Sequence, residues 1–231
     1  PALVVPHHSG VIPIDAAMLG TDIFMNLKKP RVIRTVVDYF ASALPFINVF
    51  FARMGQLVGH RKNFEDLLRH GQLVGVFPEG ARGTGKPFSE RYRLRRFNVG
   101  FIEVALTHRV PIVPVAIIGP EEQAPMLLNV MPLARLLGFP YFPVTPLFPW
   151  LGPLGSIPLP VQYHITYGEA FRFFEEYPPE AARDAQTVRM LADKVQVRIQ
   201  EMIDMGLEQR TSIFGLGLSR YLLPKEDRDE P

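Results

Sequence analysis

An apolar run followed by a charged, glycine-containing turn occupies residues 73–83: Leu73-Val74-Gly75-Val76-Phe77-Pro78-Glu79-Gly80-Ala81-Arg82-Gly83. Its first four residues are mostly apolar, as in a buried strand, and Pro78 and Gly80 end that strand. Glu79 and Arg82 then lie just beyond its carboxyl end. Ligand sites of α/β proteins are usually found at such ends, because side chains and free backbone N–H groups converge there. Taken alone, the stretch also fits an ordinary surface turn, so its interpretation depends on the rest of the chain.

The composition predicts a single domain over residues 1–231. The 231 residues are 47% hydrophobic and 21% charged, which is enough for a large core, and no polar linker divides them. The absence of cysteine excludes a thiol nucleophile, thiolate metal sites and disulfides. The net charge is only +2, but the pI near 9.0 suits contact with phosphates or acidic lipid surfaces.

The sequence contains no apolar stretch long enough to predict a membrane-spanning helix. No uninterrupted run of about 18 apolar residues occurs in the sequence. The chain opens directly in a strand at Pro1-Ala2-Leu3-Val4-Val5, and we expect an upstream segment, which could carry a membrane anchor. The charged tail 225–231 is expected to fray.

A second strand end carries residues suited to chemistry. Residues 2–6 form an apolar strand that runs into His7 and His8, and Asp15 then opens a helical pattern. We predict an α/β fold with a mostly parallel central sheet flanked by helices, in which the two strand ends share one edge. The remaining predicted elements are a helix over 31–44, a short strand that delivers Arg61 to a loop, helices over 64–70 (with Asn63 as N-cap) and 95–108, strands over 110–119 and 161–167, and a helix over 188–203. The prolines of 110–119 predict an edge position or irregular pairing at the start of that strand.

The first loop offers a general base. A histidine oriented by a carboxylate is the usual arrangement for taking a proton from a hydroxyl or water. Either His7 or His8 could serve with Asp15, but successive side chains on extended backbone point to opposite faces, so only one reaches the site. A histidine pair with a purely structural role is the alternative. Ser9 lacks the Gly-x-Ser-x-Gly elbow of serine hydrolases, and His7, His8, Asp15 and His60 match no familiar metal-ligand spacing.

The segment Gly80-Ala81-Arg82-Gly83-Thr84-Gly85-Lys86 imitates the phosphate-binding loop of nucleotide hydrolases up to its lysine. Pro87 stands where that loop needs a Ser or Thr hydroxyl for magnesium, and no later apolar strand ends in the required aspartate. The segment is therefore interpreted as a basic turn. Arg82 and Lys86 still suit contact with a phosphate.

Residues 125–160 are apolar, rich in proline and contain one charge, Arg135. A loop of this kind with Trp150 and several phenylalanines could dip into a membrane interface. It could equally fold over the core, and both interpretations stay open at this point.

Four blocks, in order, resemble the glycerolipid acyltransferase family, of the lysophosphatidic acid acyltransferase type. They are His8 to Asp15, Gly55 to Arg61, Phe77-Pro78-Glu79-Gly80 with Arg82, and Val110-Pro111-Ile112-Val113-Pro114. The likeness spans roughly residues 3–170. Three features depart from the family: six residues, not the usual four, separate His8 from Asp15; His7 replaces a common Asn; and Ala81 replaces the usual Thr or Ser.

The resemblance implies an O-acyltransferase that moves a fatty acyl group from acyl-CoA or acyl carrier protein to a lysophospholipid or related lipid alcohol. His8, backed by Asp15, would be the general base. The residues implied in substrate binding are Arg61, Phe77, Pro78, Glu79, Gly80, Arg82 and Lys86, with Arg61 and Arg82 on the acceptor phosphate and Glu79 orienting the acceptor or its arginines.

The resemblance implies no metal and no cofactor besides the acyl thioester co-substrate, and no nucleic-acid partner. It places the protein at the cytoplasmic side of a membrane, peripheral or anchored by a segment before Pro1, with 125–160 facing the bilayer. The competing hypothesis is a catalytically silent lipid- or phosphate-binding protein on the same fold, suggested by the His-Asp spacing and by Ala81.

Overall fold

The computed structural model describes residues 1–11, 14–37, 57–58, 61–210 and 212–213. The strands are β1 (Ala2–Pro6), β2 (Ile33–Val37), β3 (Leu57–Val58), β4 (Leu73–Val76), β5 (Ile112–Ile118), β6 (Leu128–Asn129), β7 (Pro143–Val144) and β8 (His164–Tyr167). The helices are α1 (Ile14–Asn26), α2 (Arg61–Arg69), α3 (Ala81–Thr84), α4 (Gly100–His108), α5 (Pro120–Gln123), α6 (Met131–Leu137) and α7 (Ala185–Gln209). Short 3-10 turns cover Phe88–Glu90, Gly152–Ser156, Phe173–Glu175 and Pro179–Arg183.

Among the described residues, six strands form the central sheet in the order β3-β2-β4-β1-β5-β8. All neighbours pair in parallel except β5 and β8, which are antiparallel. The predicted α/β fold with a mostly parallel sheet is confirmed. Because β4, β1 and β5 are adjacent and parallel, the loops that follow them emerge at one edge of the sheet.

Helices cover both faces of the sheet, as parallel strands require. Side chains alternate along β1: Leu3 and Val5 join the large cluster under α4 and α7, whereas Val4 joins a smaller cluster with α1. All three are almost fully buried. The chain leaving β1 is thereby fixed from both sides.

The predicted helix over 31–44 is wrong where the structure describes it, because residues 33–37 form β2. The apolar spacing of Val32 and Val36 resembles a helical repeat, but Ile33, Thr35 and Val36 are β-branched residues that favour a strand. β2 lies between β3 and β4, so pairing on both sides decides its conformation. Residues 38–44 lie outside the described part of the chain.

Strand β5 is an interior strand, so the predicted edge position is wrong, whereas the irregular pairing at its start is confirmed. β8 pairs with Val115–Ile118, and an isolated bridge then joins Ile112 to Phe171 with the register shifted by one residue. The break falls at Pro114, which has no N–H to donate.

Other boundaries differ modestly from the prediction. α2 begins at Arg61, so Arg61 is helical and not in a loop, and Asn63 lies inside the helix and does not cap it. α4 begins at Gly100, and residues 93–98 before it have no regular secondary structure. The tail 225–231 lies outside the described residues, and the single-domain assignment over 1–231 stays a prediction.

Residues 125–160 fold into a small antiparallel pair, β6 with β7, connected through α6 and followed by a 3-10 turn. Many of its apolar side chains face outward. Those at least half exposed are Leu127, Leu128, Leu136, Trp150, Leu151, Leu154 and Ile157. We call residues 125–160 the apolar segment.

Candidate active site

His8 and Asp15 are brought together just beyond β1. His8 Nδ1 lies 2.7 Å from Asp15 Oδ2, and the same oxygen accepts the Ser9 N–H at 3.0 Å. The other carboxylate oxygen accepts the Ala16 N–H at 2.8 Å at the start of α1. Asp15 is fully buried, while the His8 side chain keeps 15% of its surface exposed. A carboxylate can only accept, so Nδ1 carries the proton and Nε2 is left as the basic nitrogen.

The long spacing between these two residues does not keep them apart. The chain turns at Gly10, whose φ is +84°, a value that suits glycine. A Cβ at Gly10 would lie 2.7 Å from the carbonyl oxygen of Pro120, so the turn is packed against the loop after β5. Pro13, where the extra residues were expected to loop out, lies outside the described residues.

The structure separates the two candidate histidines. His7 is completely buried and lies against the backbone of Val115 and Ile117 in β5. Burial, aided by the nearby Lys86 and His8, lowers the pKa of His7 to about 3. His7 therefore stays neutral inside the sheet, and His8 is the histidine paired with a carboxylate.

Glu79 lies at the turn after β4 and is fully buried. Its Oε1 accepts the His8 N–H at 3.1 Å and its Oε2 accepts the Arg95 N–H at 2.6 Å. Burial raises the pKa of Glu79, and Lys86, whose Nζ is 3.9 Å from Oε2, acts in the opposite direction. The carboxylate thus contacts the backbone of two loops.

Lys86 is buried as well, with 2% of its side chain exposed. Its Nζ lies 3.0 Å from Glu121 Oε1 and donates to the Arg93 carbonyl oxygen at 3.0 Å. The structure therefore places Lys86 between carboxylates and not at a phosphate-accessible surface. Apart from the acidic pair that follows β5, no sequence pattern indicates this pairing, since Glu121 is 35 residues away from Lys86 in the chain.

The other expected site residues form the turn beside His8. The Phe77 ring lies 4.4 Å from the His8 ring, centroid to centroid. Gly80 has a φ of +58°, and its N–H donates to the Phe77 carbonyl oxygen at 3.1 Å, which closes the turn. The Pro78 carbonyl oxygen accepts the Asn98 N–H at 2.8 Å. The backbone of this turn is therefore fixed to the chain leading into α4.

Arg82 is the expected anion ligand that does reach the surface. Its side chain is exposed, and its Nη2 donates to Asn98 Oδ1 at 3.1 Å. Arg61 stands at the start of α2, but its side chain lies outside what the structure describes.

Gly83 in α3 packs directly on the histidine. A Cβ built at Gly83 would lie 2.7 Å from His8 Cβ and 2.8 Å from Glu79 Cβ. Contacts this short with two Cβ atoms cannot be relieved by turning a flexible side chain. The sequence pattern predicts only a turn at Gly83 and not this packing.

A small pocket of about 10 Å³, room for about one water molecule, lies beside the His8 loop and opens to solvent. Apolar and charged residues line it together: Val11, Phe88, Ala124 and Met126, with Lys86, Arg91 and Glu121. The Tyr141 hydroxyl donates to the Val11 carbonyl oxygen at 2.6 Å, so the apolar segment is anchored to the same loop.

Among the described residues, no group of three or more His, Asp or Glu side chains is arranged to hold a metal ion. The helices of the described part are all too short or too polar to cross a membrane.

Several known proteins are similar to this chain. Residues 1–118 match the model of the Acyltransferase family. The chain is 41% identical over 214 residues to uncharacterized proteins ML2427 of Mycobacterium leprae and Rv0502 of Mycobacterium tuberculosis, covering 92% of this chain and 58% and 60% of theirs. It is 28% identical over 231 residues to the human DGAT1/2-independent enzyme synthesizing storage lipids, covering 96% of this chain and 62% of that protein. The chain thus spans about three fifths of these relatives.

The crystal structure of the 1-acyl-sn-glycerophosphate acyltransferase PlsC from Thermotoga maritima has the same fold. It superposes with a TM-score of 0.52 at 16% identity, covering 91% of this chain and 68% of that one.

Proposed function

Because this chain belongs to the Acyltransferase family, we propose that it moves a fatty acyl group from an acyl thioester to the hydroxyl of a lysophospholipid or related lipid alcohol. The observation that carries the proposal is the 2.7 Å contact between His8 Nδ1 and the buried Asp15 carboxylate. It leaves Nε2 of a partly exposed imidazole as the proton acceptor. This is the arrangement that general-base attack by a hydroxyl requires.

The proposed reaction needs no covalent enzyme intermediate. His8 Nε2 takes the proton of the acceptor hydroxyl while its oxygen attacks the thioester carbonyl carbon. The tetrahedral oxyanion then collapses, the C–S bond breaks, and the thiolate receives the proton from the His8 imidazolium. A thiol of pKa near 8.5 leaves readily, so no protein nucleophile is required. The products are one ester and one free thiol, and His8 returns to its neutral form.

Asp15 holds the imidazole in its reactive tautomer and stabilises the imidazolium while the proton resides there. Two backbone N–H groups fix the carboxylate: the Ser9 N–H donates to Oδ2, the oxygen that also contacts His8, and the Ala16 N–H donates to the other oxygen. Asp15 is thus preorganised before substrate binds, which is how an orienting carboxylate contributes to rate.

We assign Glu79 and Lys86 to positioning and not to direct contact with the acceptor. Both side chains are buried, and Glu79 holds the backbone N–H of His8 itself. Arg82 is the exposed cation of the turn and is the proposed ligand of an acceptor phosphate, together with Arg61. A bidentate guanidinium suits a phosphate better than an ammonium group does.

The donor is an acyl thioester carried by CoA or by acyl carrier protein, and neither needs a further cofactor. The acyl chain is proposed to approach beside Val11 and Met126, next to the His8 loop, because the pocket that these residues line is too small to hold the chain itself. We propose that the exposed apolar segment lies in the membrane interface on the cytoplasmic side, where lipid acceptors are found. Exposed apolar surface of this extent is typical of membrane or partner contact.

Two acceptor classes follow from the relatives. The structural neighbour is named for a phosphate-bearing acceptor, whereas the human relative is named for the synthesis of storage lipids. The hypothesis of a catalytically silent binding protein rests on the long His-Asp spacing and on Ala81, and the observed contact between His8 and Asp15 argues against the first of these two grounds.

The test is to supply the purified chain with acyl-CoA or acyl carrier protein labelled in the acyl group, together with lysophosphatidic acid, monoacylglycerol or diacylglycerol. We expect label in an ester of one acceptor and one free thiol for each ester formed. Binding of lipid with no labelled ester from any donor and acceptor would favour the silent binding protein.

A further inference from the structure

Residues Arg91–Arg96, which we call the arginine segment, lead from the 3-10 turn at Phe88–Glu90 toward α4. Tyr92 is buried and Leu94 half-buried, whereas all four arginines of the segment are exposed. Buried and exposed side chains alternate from residue 91 to 95, and the chain turns at Tyr92, whose φ is +63°. Four exposed arginines thus lie within six residues of one another.

The backbone of this segment is held at nearly every step. Gln200 of α7 accepts the Leu94 N–H at 3.1 Å and donates to the Tyr92 carbonyl oxygen at 2.9 Å. The Tyr92 N–H donates to the Glu121 carboxylate, and the Arg95 N–H to Glu79. Arginines projecting from a fixed backbone lose less conformational freedom on binding than arginines of a mobile loop.

The segment concentrates positive charge. Residues 90–96 contain four arginines and one glutamate, a net charge of +3, whereas the whole chain has a net charge of +2. Glu90 pairs with Arg95. Within the part of the chain that the structure describes, no carboxylate lies within ion-pair distance of Arg91, Arg93 or Arg96. These three guanidinium groups are available to an external anion.

The arginine segment adjoins the apolar segment. The Phe88 N–H donates to the Met126 carbonyl oxygen at 2.7 Å, and the Arg91 guanidinium lies 4.6 Å above the Phe88 ring centroid. Leu127 and Leu128, which follow Met126, are 60% and 58% exposed. Basic and apolar surface thus meet at this junction.

We propose that the arginine segment binds the phosphate groups of anionic membrane lipids while the apolar segment enters the adjoining acyl-chain region. The inference rests on the membrane location included in the proposed function. Arginines beside an inserted apolar surface lie at the depth of the lipid phosphates, where their charge attracts an anionic leaflet. Binding would then hold the His8 loop close to the bilayer, because Arg95 and His8 are joined through Glu79.

The test is co-sedimentation with vesicles of phosphatidylcholine alone or with about 30% phosphatidylglycerol. The variant Arg91→Gln/Arg93→Gln/Arg96→Gln is compared with Arg69→Gln/Arg172→Gln/Arg183→Gln, which removes the same charge from exposed arginines elsewhere. We expect the first variant to bind anionic vesicles about tenfold more weakly or worse, and the second to bind like wild type. Equal binding of anionic vesicles by the two variants would overturn the inference. A raised KM for acyl-CoA in the first variant would then indicate that these arginines bind the phosphates of CoA and not those of lipids.

Wild-type protein gives a second measurement that does not depend on the folding of a variant. Its affinity for anionic vesicles should fall as salt rises from about 0.1 M to about 0.5 M, because screened charges attract less. Equal binding to neutral and anionic vesicles would overturn the inference. Neither measurement requires catalysis. If the protein binds anionic vesicles but forms no ester, the proposed reaction is refuted and the inference about the arginine segment stands.

Discussion

The backbone N–H of His8 donates a hydrogen bond to Glu79 Oε1 at 3.1 Å. The other oxygen of the same buried carboxylate accepts the Arg95 N–H. Glu79 therefore joins the loop after β1 to the arginine segment, and it does so from the turn after β4. The position of the proposed base depends on a carboxylate that contacts its backbone and not its ring.

Replacement of Glu79 by Gln should lower kcat by about tenfold or more and leave the KM for the acceptor nearly unchanged. The amide has only one oxygen to accept from two N–H groups, and it removes a charge beside Lys86, so buried donors lose their partner. Steady-state kinetics with Glu175→Gln, an exposed carboxylate, as control checks this. A raised acceptor KM at unchanged kcat would instead place Glu79 in acceptor binding.

Replacement of Gly83 by Ala should reduce the rate of ester formation more than tenfold, because the new Cβ would displace His8 or Glu79, and small displacements of reacting groups are costly. Gly100→Ala is the matched control, since no atom lies within 4 Å of its added Cβ. Wild-type turnover by Gly83→Ala would show that the packing of α3 on His8 is unimportant.

The stability of the chain should depend on His7 in acid. The pKa of His7 is lowered from 6.5 to about 3, so below pH 6.5 the unfolded chain binds a proton that the folded chain does not. The free energy of unfolding should therefore fall with decreasing pH from about 6.5 toward 3, by up to about 1.4 kcal/mol per pH unit. His7→Asn lacks this titration, so its stability should fall less over the same range.

Urea unfolding of both proteins at about pH 6.5, 5.5 and 4.5 measures the difference. The raised pKa values of Glu79 and Glu121 act with the opposite sign, since the folded chain keeps those protons to higher pH, but they are common to both proteins. Parallel pH profiles would contradict a buried neutral His7.

The triple change Leu136→Ser/Trp150→Ser/Leu154→Ser should weaken binding to neutral phosphatidylcholine vesicles by about tenfold or more, because apolar area is lost from the interface. The melting temperature should hardly change, since these side chains are 81%, 74% and 66% exposed. Met190→Ser/Val197→Ser/Met205→Ser on α7 is the control. Equal sedimentation of both variants would remove the apolar segment from the interface.

Local patterns predicted the parts of the fold that local chemistry governs. β1, β4 and α7 carry apolar repeats of the right period and lie where expected. β2 was predicted as a helix because Val32 and Val36 have a helical spacing, and only pairing with β3 and β4 selects the strand. The interior position of β5 could not be predicted either. Its prolines indicate irregular hydrogen bonding within that strand, but they do not show which strands lie on either side of it.

The candidate site was predictable where its residues follow a strand or complete a recognisable block, as His8, Asp15 and Glu79 do. The surroundings of Lys86 were not predictable. Its partner Glu121 follows β5, and only the order of the strands in the sheet brings the chain after β5 close to the chain after β4. A basic residue in a basic stretch suggests a surface, and burial between carboxylates can be seen only in three dimensions. The close contact of Gly83 with His8 was hidden for the same reason.

The rate of thiol release by His8→Ala, compared with wild type in the presence of the preferred acceptor, measures whether His8 is the general base. A positioned general base is worth about a hundredfold or more, so we predict a loss of at least that size. His70→Ala, which alters an exposed histidine of the α2 end, should retain the wild-type rate. Asp15→Asn should be impaired as well, since it no longer fixes the tautomer of His8. Equal rates for wild type and His8→Ala would contradict the account.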